Sequence, residues 1–189
     1  MIHHRFEGET ATKILKFILP TENNGSSFMD VPKSWVQPLF FIQDTYKLCQ
    51  NENGPCGLFA LIQAYMLATA KFNPDYSPVE TLHESLLEMM LRLRQMYAFC
   101  TDFSIGTSNN MNSEHRYIDI QITSSKEEAK NFLNSTNYIS IENVTFLLMI
   151  SFAFLAGPKI LSSYSHPETF IDSSGMTDVH FVYLLLTGE

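Results

Sequence analysis

The chain has few cysteines and few basic residues for its 189 residues. Its three cysteines are an odd number without Cys-x-x-Cys spacing, which argues against a disulfide framework and against a zinc site. Lysine and arginine total 12 against 20 aspartates and glutamates, so the net charge of −8 offers no basic stripe for nucleic acid. The first residues lack the apolar segment of a signal peptide, so we expect a reducing compartment, the cytoplasm and also the nucleus.

Long apolar runs are also missing. The longest, residues 144–156, has about thirteen residues, whereas a membrane-spanning helix needs roughly 20, so it predicts a buried core helix and no membrane contact. Apolar residues are nevertheless 45% of the chain, and they include 15 Phe and 8 Tyr. With no internal repeat, this composition predicts one folded domain over residues 1–189.

One short segment contains residues that suggest a catalytic site. It is residues 50–57, with the sequence QNENGPCG. Pro55 suits a helix start, because the amide hydrogen that it lacks would be unpaired there, and Gly54 tolerates a positive φ. Cys56 is then expected in the first turn, where free amides and the helix dipole favour a thiolate. Gln50 precedes it by six residues and can donate to an oxyanion beside the sulfur. The alternative is a cysteine that merely packs, as most free cysteines do.

The same segment resembles the active-site segment of the MINDY deubiquitinases, cysteine proteases that trim polyubiquitin. One branch of that family reads Gln-x-x-Gly-Gly-Pro-Cys-Gly-(aliphatic)-x-Ala-x-x-Gln. The positions that match it are Gln50, Gly54, Pro55, Cys56, Gly57, Ala60 and Gln63. Asn53 replaces the first glycine of the pair, and the close of the chain, residues 181–188, is similar to a Leu-Val-Asn-Leu-Leu-Leu-Thr-Gly segment of the same branch.

The resemblance implies an α+β fold related to the papain-like cysteine proteases. In that fold a helix carrying Cys56 is buried against a small sheet. It also implies hydrolysis of isopeptide bonds, with ubiquitin or polyubiquitin as the partner, Cys56 as nucleophile and Gln50 in the oxyanion hole. No cofactor and no metal are expected. The alternative is a catalytically inactive ubiquitin-binding homologue, which Asn53 favours.

The histidine that completes the site stays open between two interpretations. By pattern alone His180 is the candidate base, because it begins an apolar run that resembles a strand after a loop. The resemblance implies instead that residues 181–188 are helical and that the base lies on a strand beyond Glu189, so that the chain would be an incomplete domain. A papain-like hydrolase of another substrate, with His180 as base, is a third function. His83, His115 and His166 are weaker candidates.

The remaining pattern predicts most of the secondary structure. Ser77, Pro78 and Glu80 form a predicted capping box that begins a helix reaching Met96, and strict alternation over residues 117–123 predicts a strand. Further helices are predicted over residues 9–19, 56–71, 124–133 and 144–156, an edge strand over residues 35–42, and loops over residues 101–114 and 162–176. The helix after Cys56 is expected to be the buried central helix, because its sequence is almost wholly apolar.

Overall fold

The protein was analysed as a computed structural model, which describes residues 1–21, 28–42, 45–106, 116–163 and 169–188. Its fold is α+β, as the sequence predicts. The described helices are α1 (Gly8–Leu15), α2 (Cys56–Phe72), α3 (Pro78–Leu93), α4 (Lys126–Thr136), α5 (Val144–Ser163) and α6 (Val179–Thr187). The strands are β1 (Ile2–Glu7), β2 (Phe40–Phe41), β3 (Leu48–Cys49), β4 (Tyr97–Ser104) and β5 (Tyr117–Thr123).

These strands form two antiparallel sheets. The larger sheet has the order β1-β5-β4, and a two-stranded ribbon pairs β2 with β3. In the ribbon Phe40 lies opposite Cys49 and Phe41 opposite Leu48. Of the edge strand predicted over residues 35–42, only Phe40–Phe41 is a strand, and residues 33–35 form a 3₁₀ turn.

The central helix of the domain is α5, not α2. Its residues 144–153 are buried throughout, and it packs against β4, as the apolar run predicts for a core helix. None of the described helices is long and apolar enough to cross a membrane. A positive φ of 73° at Gly157 interrupts α5.

The expectation that the Cys56 helix is buried against a sheet is wrong. Helix α2 packs against α3 and α6, and its other face, with Ala60 and Leu67, is exposed. An apolar sequence does not show which side of a helix the fold leaves open, and here the open side is the floor of a groove. The helix bounds were predicted well, since α2 begins at Cys56 and ends at Phe72.

Other elements confirm or correct their predictions. Ser77 caps α3 through the predicted capping box with Glu80, and β5 spans the predicted strand. Helix α3 ends at Leu93 and residues 97–104 form β4, so the predicted helix end at Met96 and the predicted loop from Thr101 are wrong. Both faces of this strand are covered, so residues 97–100 are all buried and show no alternation. Residues 107–115 lie outside the described part of the chain.

Candidate active site

The turn before α2 presents Cys56 at the surface, as the sequence predicts. Pro55 is the residue that precedes the helix, and the first intrahelical hydrogen bond runs from the Phe59 amide to the Pro55 carbonyl at 2.9 Å. The amides of Cys56, Gly57 and Leu58 therefore have no acceptor within the helix. Cys56 is exposed, whereas Cys100 is buried, and burial raises the pKa of the Cys100 thiol well above its usual value. Cys56 is thus not a packed core cysteine.

Gly54 holds this turn against two distant segments. Its φ is 143°, and a Cβ there would contact the Ser34 hydroxyl and lie 2.9 Å from the Gly175 carbonyl oxygen. The Gly54 carbonyl accepts hydrogen bonds from the Thr177 amide at 3.0 Å and from the Thr177 hydroxyl at 3.1 Å. Trp35 Nε1 donates to the same Gly175 carbonyl at 2.8 Å, so the two supporting segments are also joined to each other. Only a glycine fits this backbone and this space.

An open groove of about 630 Å³ begins at Cys56 and runs along α2. Along the helix, Cys56, Phe59, Ala60, Gln63 and Leu67 line one face at the spacing of successive turns. The opposite wall consists of Thr45, Tyr46, Lys47, Leu48 and Gln50. The predicted nucleophile and the predicted oxyanion donor therefore face one cavity.

The Gln50 amide has a hydrogen-bond partner within the turn. Its Nε2 donates to the Glu52 carbonyl at 2.6 Å, a bond within the turn that the sequence did not reveal. A primary amide has two N–H donors, so one of them is left for a second acceptor. With one hydrogen held by Glu52, the plane of the amide group is restrained before any substrate arrives.

Two further glutamines position the wall that carries Gln50. Gln63 Oε1 accepts from the Leu48 amide at 2.8 Å, and Gln63 Nε2 donates to the Tyr46 carbonyl at 2.8 Å. Gln37, which is buried, accepts from the Asn51 amide at 3.1 Å. Gln63 was visible as a motif position without a role, and no periodic signal marked Gln37, because a single buried amide leaves no pattern in a sequence.

The described histidines do not gather at Cys56. None of the described residues that line the groove is a histidine. His83 is buried in α3, and desolvation lowers the pKa of its imidazole. His3 and His4 lie on β1, whereas His115 and His166 fall outside the described residues.

The expectation of a strand around His180 is wrong, because residues 179–187 form α6. Asp178 accepts from the His180 amide at 2.7 Å and lies 3.0 Å from the ring nitrogen Nδ1, so the apolar run begins as a capped helix. Helix α6 meets the start of α2 through Val182, whose Cγ2 would lie 2.9 Å from a Cβ on Gly57. His180 projects roughly 160° around the helix axis from Val182, and this placement does not support it as the base.

Comparisons with family models, with curated proteins and with solved structures find no match to this chain. Within the described residues there is also no cluster of three or more His, Cys, Asp or Glu side chains that could hold a metal ion. The groups of this site that can take part in chemistry are therefore Cys56, Gln50 and the residues that line the groove.

Proposed function

We propose that this protein is a cysteine-type deubiquitinase domain of the MINDY kind, distantly related to papain-like proteases, which hydrolyses isopeptide bonds of ubiquitin conjugates. The observation that supports this most directly is an exposed cysteine in the first turn of a helix, facing a groove that Gln50 also lines. A helix start of this kind stabilises negative charge on a sulfur. The proposal includes action on ubiquitin or polyubiquitin in the cytoplasm.

The chemistry follows from this placement. The Cys56 thiolate attacks the carbonyl carbon of ubiquitin's C-terminal glycine, and the carbonyl oxygen becomes an oxyanion. The free Gln50 N–H and the Cys56 backbone N–H are the donors proposed to stabilise it. Protonation of the lysine amine then breaks the C–N bond and leaves a thioester, which water hydrolyses. This step needs a proton donor such as an imidazole, and the described residues that line the groove include no histidine.

A second candidate is a ubiquitin-binding protein that keeps the fold without the chemistry. The absence of a histidine among the described groove residues favours it, because a thiol protease needs an imidazole to protonate the leaving amine. Asn53, which replaces a family glycine and is exposed in the turn, also favours it. The two candidates differ in turnover and not in binding.

A ubiquitin probe with an electrophilic C-terminus tests the proposal. We expect it to label the wild-type protein at Cys56 and to leave Cys56→Ala unlabelled. The matched control is Cys49→Ala, which removes a half-buried thiol from β3 and should be labelled like the wild type. Cleavage of diubiquitin should fall at least about a thousandfold in Cys56→Ala.

The outcomes separate the candidates. Labelling together with cleavage supports the deubiquitinase. Ubiquitin binding that is unchanged in Cys56→Ala, without cleavage by the wild type, supports the binding protein instead. Labelling that persists in Cys56→Ala would contradict the assignment of the nucleophile.

A further inference from the structure

Gln63 forms the same hydrogen bonds to the wall of the groove that a neighbouring strand would form. Its Oε1 accepts from the Leu48 amide and its Nε2 donates to the Tyr46 carbonyl, each at 2.8 Å. On its other side the same stretch pairs with β2, through Leu48 opposite Phe41 and through the Ile42 amide, which donates to the Lys47 carbonyl at 2.9 Å. Residues 46–48 are thus held from both sides, by a strand and by one side chain.

This side chain comes from the same helix as the nucleophile. Gln63 follows Cys56 by seven residues, which places it two turns further along and roughly 20° away around the axis of α2. The helix therefore carries both Cys56 and the group that holds the opposite wall. Gln50 follows β3 directly, so its distance from the sulfur depends on where Gln63 holds residues 46–48.

We propose that Gln63 is a positioning residue that sets the distance between the Gln50 amide and the Cys56 sulfur. This inference rests on the proposed function, because it assigns the held wall a role in stabilising an oxyanion. Gln63 acts through backbone atoms of the neighbouring strand and does not itself contact the reacting atoms. The Asn51 amide, bonded to Gln37, fixes the far end of the same segment and leaves Gln63 to define its near end.

Gln63→Leu removes both hydrogen bonds with little change in volume. We expect kcat for a fluorogenic amide at the C-terminus of ubiquitin to fall about tenfold to a hundredfold, because a misplacement of about 1 Å costs up to that much. KM should change less than kcat, because the other four side chains that line the α2 face of the groove are unchanged. Alkylation of Cys56 by iodoacetamide needs no oxyanion donor, so its rate should stay within about twofold. A matched control is Gln95→Leu, the same change at an exposed position before β4.

Gln63→Glu provides a second readout that a purely structural role would not affect. The ionised carboxylate accepts from Leu48 but repels the Tyr46 carbonyl, whereas the protonated acid again has one donor and one acceptor. The ratio of variant to wild-type kcat should therefore rise as the pH falls from 8 towards the carboxyl pKa, about 4.3 in model peptides. This test does not depend on Gln63→Leu being folded.

The results distinguish the two proposals. A wild-type protein without Cys56-dependent turnover would overturn both the proposed function and the role of Gln63. An active wild type with Gln63→Leu at the same kcat would overturn the role of Gln63 alone. A fall in iodoacetamide reactivity equal to the fall in kcat would show that the substitution disturbs the helix, and would also overturn it. A loss of kcat with normal alkylation, together with a pH-dependent ratio for Gln63→Glu, supports it.

Discussion

Gly57 has no room for a side chain. A Cβ at this position would lie 2.9 Å from Val182 Cγ2 and 3.0 Å from two carbons of Thr177. Thr177 precedes α6 and Val182 lies in its first half. Gly57 therefore allows α6 to approach the helix that carries Cys56. The sequence motif contains this glycine, but its reason becomes visible only when the packing partner is known.

We expect Gly57→Ala to destabilise the protein by roughly 1 kcal/mol. Overpacking costs about 1–3 kcal/mol, and the higher helix propensity of alanine returns up to about 1 kcal/mol. Urea unfolding of the wild type, Gly57→Ala, Val182→Ala and the double variant measures the coupling. The double variant should recover part of the loss because Val182→Ala opens the space. Stabilisation by Gly57→Ala alone would contradict the close approach of the two helices.

At the scale of single residues the sequence predicted the site in part. Pro55 and Cys56 lie where the turn chemistry places them, because the constraints on a helix start are local. The hydrogen bond from Gln50 to Glu52 and the two bonds of Gln63 were not predicted. They depend on how the turn folds back over α2, which no spacing of residues encodes.

At the scale of elements, the helices and strands that are easiest to predict from the sequence are those with one exposed face or with a local cap. The capping box of α3 and the alternation of β5 are of this kind, and both are confirmed. Strand β1 was missed because five of its six residues are exposed, so its sequence shows no alternation of buried and exposed positions. An ion pair between Arg5 and Asp119 of β5 helps to hold this strand in the sheet. Strand β4 was missed because both faces are covered, with Phe99 stacked 4.8 Å from Phe132.

Helix α6 depends on a cap that the half-buried carboxylate of Asp178 provides. We expect Asp178→Ala to lower the free energy of unfolding by about 1 kcal/mol, because the side chain accepts from the His180 amide. The matched variant Asp178→Asn keeps an acceptor oxygen and should lose only a few tenths of a kcal/mol. Denaturation in urea measures both.

The comparison also separates the cap from the charge. If Asp178→Asn lost as much stability as Asp178→Ala, the contact between the carboxylate and the His180 ring, and not the cap, would be the main contribution. Because α6 contacts Gly57, we also expect Asp178→Ala, but not Asp178→Asn, to increase the rate of iodoacetamide labelling at Cys56 by a few fold.

On the scale of the whole molecule, different elements form the groove and pack against the three-stranded sheet. The groove is lined by α2 and by residues 45–50, and the segments around residues 34 and 175 support the turn before α2, whereas β4 packs against α5. Long-range contacts of this kind set the overall arrangement, so the sequence predicted α5 as a core helix but did not predict that α2 lies at the surface. The apolar character of both helices is similar in sequence, and only their neighbours differ.

Stability of the whole molecule should fall as the pH drops below 6.5, in part because of His83. Desolvation lowers the pKa of this imidazole below its ordinary value of 6.5, and the nearby charge of Lys130 lowers it further. Asn134, Glu80 and Glu84 favour the charged ring, but their effect is smaller. The unfolded chain therefore binds a proton at a higher pH than the folded one. Below pH 6.5 that difference lowers the free energy of unfolding, by at most about 1.4 kcal/mol per pH unit.

His83→Gln removes this contribution and should flatten the dependence of the unfolding free energy on pH between 6.5 and 5. Urea denaturation at four or five pH values measures the slope for each protein. The matched control is His4→Gln, which removes an exposed imidazole from β1 and should keep the slope near that of the wild type.

If His83→Gln kept the wild-type slope, the loss of stability in acid would come from other groups. Asp119, whose pKa is lowered by the hydrogen bond from Arg5, is not one of them. Its contribution is present above its ordinary value of 3.8 and is lost only as the pH falls below that, so it does not act in the window tested here.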